Sequence, residues 1–143
     1  MRALLVLAAG LLLAAPARAV DPAIEDGSAR SELNRARERW AARDLDDYRF
    51  RQYISCACLP PEVTEARTMR VRDGRALRPA RYHRRYATVP KLFAIVRRAI
   101  ERRVLKLDVS YGASGLPRYI FVDYDKSADE ELTVHAGRLR PLR

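Results

Sequence analysis

Apolar positions along the chain switch between a spacing of three to four residues and a spacing of two, the periods of a helix face and of a strand face. Leu33, Ala36, Trp40 and Ala41 recur at helical spacing, with Arg35, Glu38, Arg39 and Arg43 on the opposite side. This predicts a helix over 29–43, with Ser28 or Ser31 able to cap it through its hydroxyl and Trp40 as its large core anchor. After a turn at 44–47, residues 48–58 are rich in β-formers and partly alternate, which predicts a long strand ended by Pro60-Pro61. Residues 66–72 read as a second strand, with Met69 and Val71 on one face. Asp73-Gly74 is the best hairpin signal in the chain, because a type I′ turn needs positive φ there, and 75–77 would return as a third strand. Residues 78–86 have no clean period and read as a loop or a basic edge strand.

The strongest helical stripe follows. Leu92, Phe93, Ile95, Val96, Ala99 and Ile100 predict a helix over 89–103, capped by Thr88, with Pro90 tolerated in its first turn. Leu105, Leu107, Val109 and Tyr111 then alternate strictly, predicting a strand with one buried face. A turn at 112–117 leads to a strand over 118–124, and 125–130 reads as a polar loop. Residues 131–136 and 138–142 are expected to form a last hairpin around Gly137. Consecutive strands joined by short turns predict an α+β fold: a mostly antiparallel sheet of about five to six strands with two helices packed on one face.

The opening residues belong to a different class. Met1 and Arg2 make a short positive region, Ala3 to Ala15 is an uninterrupted apolar run, and Pro16 precedes Ala17-Arg18-Ala19, a small-x-small cleavage pattern. The run has 13 residues, short of the roughly 18–20 that a bilayer span needs. A cleaved signal peptide over 1–19 is therefore expected, giving a periplasmic or secreted protein that starts at Val20. No transmembrane segment is expected after cleavage. Residues 20–28 are acidic, Pro-containing and aperiodic, and read as a flexible leader to one α+β domain over 29–143.

Charge refines this picture. Loss of Arg2 and Arg18 with the signal takes the formal +10 to +8. Residues 67–103 hold 13 basic and 2 acidic side chains, whereas 20–66 hold 7 and 10 and 104–143 hold 6 of each. The excess thus lies in the middle third of the chain. Arg78, Arg81, Arg84, Arg85, Arg97 and Arg98 are the candidate anion-binding surface, suited to an anionic envelope component or an acidic exported protein. A solvated basic face is the plain alternative. Nucleic acid is not expected as a partner, because export removes the chain from it and no recognition helix or RNA-binding motif is present.

Chemistry is concentrated at Cys56-Ala57-Cys58, the only cysteines. In an oxidising compartment a structural disulfide between Cys56 and Cys58 is the leading reading. In an extended strand residues i and i+2 lie roughly 6.5–7 Å apart at Cα, near the upper limit for a disulfide, so bridging them needs a bulge or turn. Packed reduced thiols, a redox pair or half of a metal site are the competing readings. Neither Ser55 nor Leu59 would stabilise a thiolate, and His83 and His135 are not spaced as a ligand pair. Asp123-x-Asp125-x-Ser127-x-Asp129 places oxygens at alternate positions as a calcium loop does. Ala128 stands where such a loop needs Gly, however, and Val134 where it needs the bidentate Glu, so a solvated acidic turn is expected. No catalytic motif, phosphate-binding loop or dinucleotide fingerprint is present, and neither catalytic residues nor a cofactor or metal is expected. Tyr82, Tyr86, Tyr111, Tyr119 and Tyr124 are expected in the core and its rim, or lining a groove.

Taken in order, Trp40, Tyr48, Tyr53, Cys56-x-Cys58, Val71-x-Asp73-Gly74 and Thr88-Val89-x-x-Leu92-Phe93 form a series of landmarks. Tyr111 and Gly115-x-Pro117-x-x-Ile120-x-x-Asp123 complete it. The series resembles the small exported bacterial proteins of DUF family 6174 over about residues 32–136. That resemblance implies an envelope location and one α+β domain, and it implies no activity. The chain lacks the lipobox cysteine of lipid-anchored members, so lipidation is not carried over. The function expected is a non-enzymatic exported protein that binds or scaffolds an envelope partner through its basic surface. A thiol-redox or metal-handling role for Cys56 and Cys58, and inhibition of an exported enzyme, are the alternatives. The oligomeric state is not legible.

Overall fold

A computed structural model describes residues 19–57, 60, 64–124 and 131–142. Helix α1 (Pro22–Glu25) and helix α2 (Ser28–Ala41) precede strands β1 (Tyr48–Cys56), β2 (Arg67–Arg72) and β3 (Arg75–Ala76). A 3-10 turn (Arg81–His83) leads to helix α3 (Val89–Glu101), then strands β4 (Lys106–Tyr111), β5 (Pro117–Asp123) and β6 (Glu131–Pro141). The strands form one sheet in the order β3-β2-β1-β6-β5-β4, every neighbouring pair antiparallel. The fold is α+β. Asp73 and Gly74, with φ of 49° and 69°, supply the two positive values of a type I′ turn between β2 and β3.

Alternation along the strands decides which side is buried. Tyr48, Phe50, Gln52 and Ile54 of β1 point inward, with Met69 and Val71 of β2, Ile120 and Val122 of β5 and Leu132, Val134 and Ala136 of β6. Leu33 and Ala36 of α2, together with Leu92, Phe93, Val96 and Ala99 of α3, close the core from above. Helix α3 is tied to the sheet at its start. Its first N–H, that of Val89, donates to the Tyr48 hydroxyl at 3.0 Å, while Thr88 Oγ1 accepts from the Lys91 N–H at 3.4 Å. Those two side chains satisfy N–H groups that have no partner within the helix. Burial pushes the Tyr48 phenol above its ordinary value, partly offset by that N–H and reinforced by Asp46.

Gly115, in the turn between β4 and β5, has φ +86°. A Cβ there would collide with the carbonyl of Ala36 and lie 2.8 Å from the Trp40 nitrogen. The turn and α2 thus meet backbone to backbone, and only glycine permits it. Trp40 beside this contact packs edge-on against Tyr48, with ring centroids 5.2 Å apart.

Two expectations are corrected. Residues 20–28 are not a loose leader: they carry α1, bury Ile24 and fix Asp21. The Asp21 carboxylate accepts from Ala23 N (2.8 Å) and Leu107 N (2.9 Å), and its N–H donates to the Val104 carbonyl at 3.0 Å. The stretch is too short to show a period, and the buried Asp21 together with Ile24 holds it in place. Nor does a hairpin form around Gly137. Strand β6 runs through it, because the nine-residue β1 offers a partner along the whole length. The irregularity there is a β-bulge, in which Arg138 and Leu139 together face Phe50 and Arg138 takes φ 53°.

Candidate anion-binding face

Both long helices pack on one side, so the opposite side of the sheet presents alternate residues of the same strands to solvent. Register aligns them in rows. Arg70 of β2 stands opposite Arg49 of β1, which stands opposite Arg140 of β6. The bulge at Arg138 is what makes this row. Before it, even-numbered β6 residues such as Val134 and Ala136 face the core; after it the parity reverses, and Arg140 points outward beside Arg49. Arg72 extends the patch along β2. These four arginines rim an open hollow of ≈ 730 Å³ with Leu77, Pro141 and Leu142.

Like charges directly opposite one another on a sheet are destabilising. Among the described residues, the only carboxylate paired with this set is Asp47, 3.9 Å from Arg72 Nε, and it also accepts from the Asp73 N–H at 2.8 Å. Arg49, Arg70 and Arg140 are exposed and, among the described residues, form no ion pair. Three guanidiniums held in register without counter-charges form a ready receptor for carboxylate or phosphate oxygens, which guanidinium forks bind in bidentate fashion.

Next along the open face lies a different row: Tyr53, His135, Tyr119 and Ser110, contributed by β1, β6, β5 and β4. The His135 ring sits 5.9 Å from Tyr53 and 5.1 Å from Tyr119, tilted about equally to each (51° and 53°). Between the aromatic row and the arginine row is Gly137, opposite Arg51. A second irregularity, in β5, sets Arg118 beside the same place. Arg51, Arg118 and Arg138 border a hollow of ≈ 440 Å³ whose other wall includes Tyr53, Tyr119 and His135.

The arginines expected from sequence do not gather at one place. Arg78 lines a separate hollow with Arg67 and Arg70, while Arg81 and Arg84 sit in the turn before α3. Arg97 pairs with Glu101 at 3.7 Å and faces Arg37 of α2. Arg85 and Arg98 converge instead on Tyr86 and Tyr124, with Arg102 beside Tyr124 alone. Burial raises both phenols above their ordinary value, and those cations pull them partway back. The set that register does assemble was missed. Its signal was in the chain as three arginine pairs at strand spacing: Arg49-Phe50-Arg51, Arg70-Val71-Arg72 and Arg138-Leu139-Arg140.

The two histidines lie on opposite sides of the sheet. His83 is fully buried, its Nδ1 3.3 Å from Gln52 Oε1, while Gln52 Nε2 donates to the Tyr86 carbonyl at 2.6 Å. Burial, reinforced by Arg67, holds His83 below its usual value, and its Nε2 has no partner among the described residues. Cys56 closes β1, half-buried and opposite Leu132; Cys58 and the acidic loop 125–130 lie outside the described residues. Among the described residues, no group of three or more His, Cys, Asp or Glu is placed to hold a metal ion, and no helix is long and apolar enough to cross a membrane.

A family model matches residues 32–141: the family of unknown function DUF6174. No curated protein matches the chain. No solved structure matches it either.

Proposed function

Since this chain belongs to DUF6174, a family of unknown function, we propose a role from its own residues: a non-enzymatic, exported domain that binds an anionic component of the cell envelope on the open face of its sheet. The observation that carries this reading is the row Arg70–Arg49–Arg140, aligned by register and without counter-charges among the described residues. Such a row costs stability unless an anion bridges it. The apolar run at 3–15, with its small-x-small site ending at Ala19, supports export. So does the docking of Asp21 immediately after that site. The two cysteines support a Cys56–Cys58 disulfide formed in the oxidising compartment, and both thiols should resist alkylation until the protein is reduced.

The test is titration of the exported protein with polyglutamate, a chain of carboxylates, at low and at physiological salt. Binding should weaken steeply as salt rises. The R49E/R70E/R140E variant should lose at least about tenfold in affinity, since each guanidinium–carboxylate bond contributes more than 1 kcal/mol. R81E/R84E, in the turn before α3, should bind nearly as the parent does. An affinity untouched by the triple reversal overturns this reading.

A further inference from the structure

Resting on the anion-binding reading, we propose that the Gly137 hollow is a sugar subsite, and that the face takes an acidic glycan: a polysaccharide whose rings carry carboxylates. Gly137 leaves a gap in the open face. It lies between the Tyr53–His135–Tyr119 row and the Arg49–Arg140 pair, and a Cβ there would meet nothing within 4 Å. Neighbouring side chains therefore border a shallow, open slot of ≈ 440 Å³, within the volume range of small-molecule sites.

The two walls differ in chemistry. One is aromatic: half-exposed phenol rings and an exposed imidazole, which suit a ring with apolar C–H faces and hydroxyl edges. The other is cationic, with Arg51, Arg118 and Arg138 all exposed. Arg138 belongs to the β-bulge of β6 and Arg118 to the register shift of β5, and bulges commonly re-aim side chains beside functional sites. A pyranose bearing a carboxylate satisfies both walls at once; a bare carboxylate chain satisfies only one. Beyond Gly137 the charge continues through Arg49, Arg70 and Arg140, which favours a polymer over a single sugar.

Other occupants fit less well. A second copy would set arginines against arginines. A protein or peptide partner would leave the slot to be filled by an acidic side chain, without a ring for the aromatic wall. Single-stranded nucleic acid uses aromatic platforms on which successive bases stack. Here the three rings are tilted to one another by 51° and 53°, which leaves no continuous platform.

The test compares oligogalacturonate, its methyl-esterified neutral form, polyglutamate and a single-stranded DNA oligonucleotide on the exported protein. The parent should bind oligogalacturonate at least about tenfold more tightly than polyglutamate at equal carboxylate concentration, and the neutral ester weakly or not at all. G137V fills the slot, and Gly137 has neither a positive φ nor a close neighbour, so the strand accepts valine. That variant and Y119A should each abolish the preference for the sugar while leaving polyglutamate binding within about twofold. Equal affinity for the two carboxylate polymers, a preference that survives G137V, or tighter binding of DNA overturns the sugar subsite and leaves the anion-binding reading standing. Failure of the parent to bind any of the anionic probes overturns both.

Discussion

On the covered face of the sheet, Phe50, Ile54, Ile120 and Val134 are buried in a packed apolar layer. On the open face, their neighbours in the same strands are Arg49, Arg51, Tyr53, Tyr119 and His135. The faces differ in what they tolerate. A packed layer is sensitive to the loss of a few methylenes, because side chains cannot move to fill the gap. The open face contributes little packing, so it is free to carry like charges in register. The comparison shows where tight packing ends and tolerance begins: one residue further along the same strand.

The widest separation between the faces should appear in stability. F50A opens a cavity under the helices and should cost about 3–5 kcal/mol, whereas R49A should stay within about 0.5 kcal/mol; urea midpoints at constant slope would read both. If the two costs came out alike, the division between faces would fall.

Next in size is G115A. It combines a positive φ that alanine dislikes with a collision against the Ala36 carbonyl, and should cost about 2–4 kcal/mol in the same assay. A near-neutral result would mean that α2 and the β4–β5 turn are not in the close contact described.

A pH titration sharpens the comparison from the buried side. His83 sits below its ordinary value of 6.5 because it is buried, with Arg67 adding to the effect. Above about pH 6.5 it is neutral whether the chain is folded or not, and no stability is lost. As pH falls from there toward its lower folded value, the unfolded chain takes up a proton that the folded chain refuses, and stability declines. H83Q should flatten that decline. An unchanged pH profile in H83Q would assign the decline to other groups.

The smallest effect belongs to the arginine row itself. R70E places an opposite charge across from Arg49 and should raise stability by a few tenths of a kcal/mol, about 0.5 at most, while weakening polyanion binding. A loss of stability would mean that these side chains support the sheet rather than tax it.

Elements with a clean period were legible in the sequence. Helix α3 shows an apolar stripe that its partners cannot override, and β4 alternates strictly; the Asp73–Gly74 turn followed from the backbone freedom that its type demands. Strand β6 was misread, because glycine followed by a residue at positive φ signals a turn locally and a bulge only when a long partner strand is present. The arginine face was hidden for a related reason. Counting charge in windows of sequence favoured 67–103, yet strand order sets β1 between β2 and β6, which is distant from both in the chain. Period two within each strand was visible; which strands lie together was not.

Asp21 has a consequence for how this protein meets other chains. Strand β4 ends the sheet, and the Leu107 N–H, which donates to the Asp21 carboxylate, faces away from β5. The Val104 carbonyl just before that strand is taken by the same residue. A free sheet border is a template for recruiting foreign strands, and this one is occupied at its start by a negatively charged group of the chain's own N-terminal segment. The opposite border is the two-residue β3, too short to recruit much. The two borders of the sheet thus resist pairing in different ways, one covered at its start and the other too short, while the broad charged surface between them stays open.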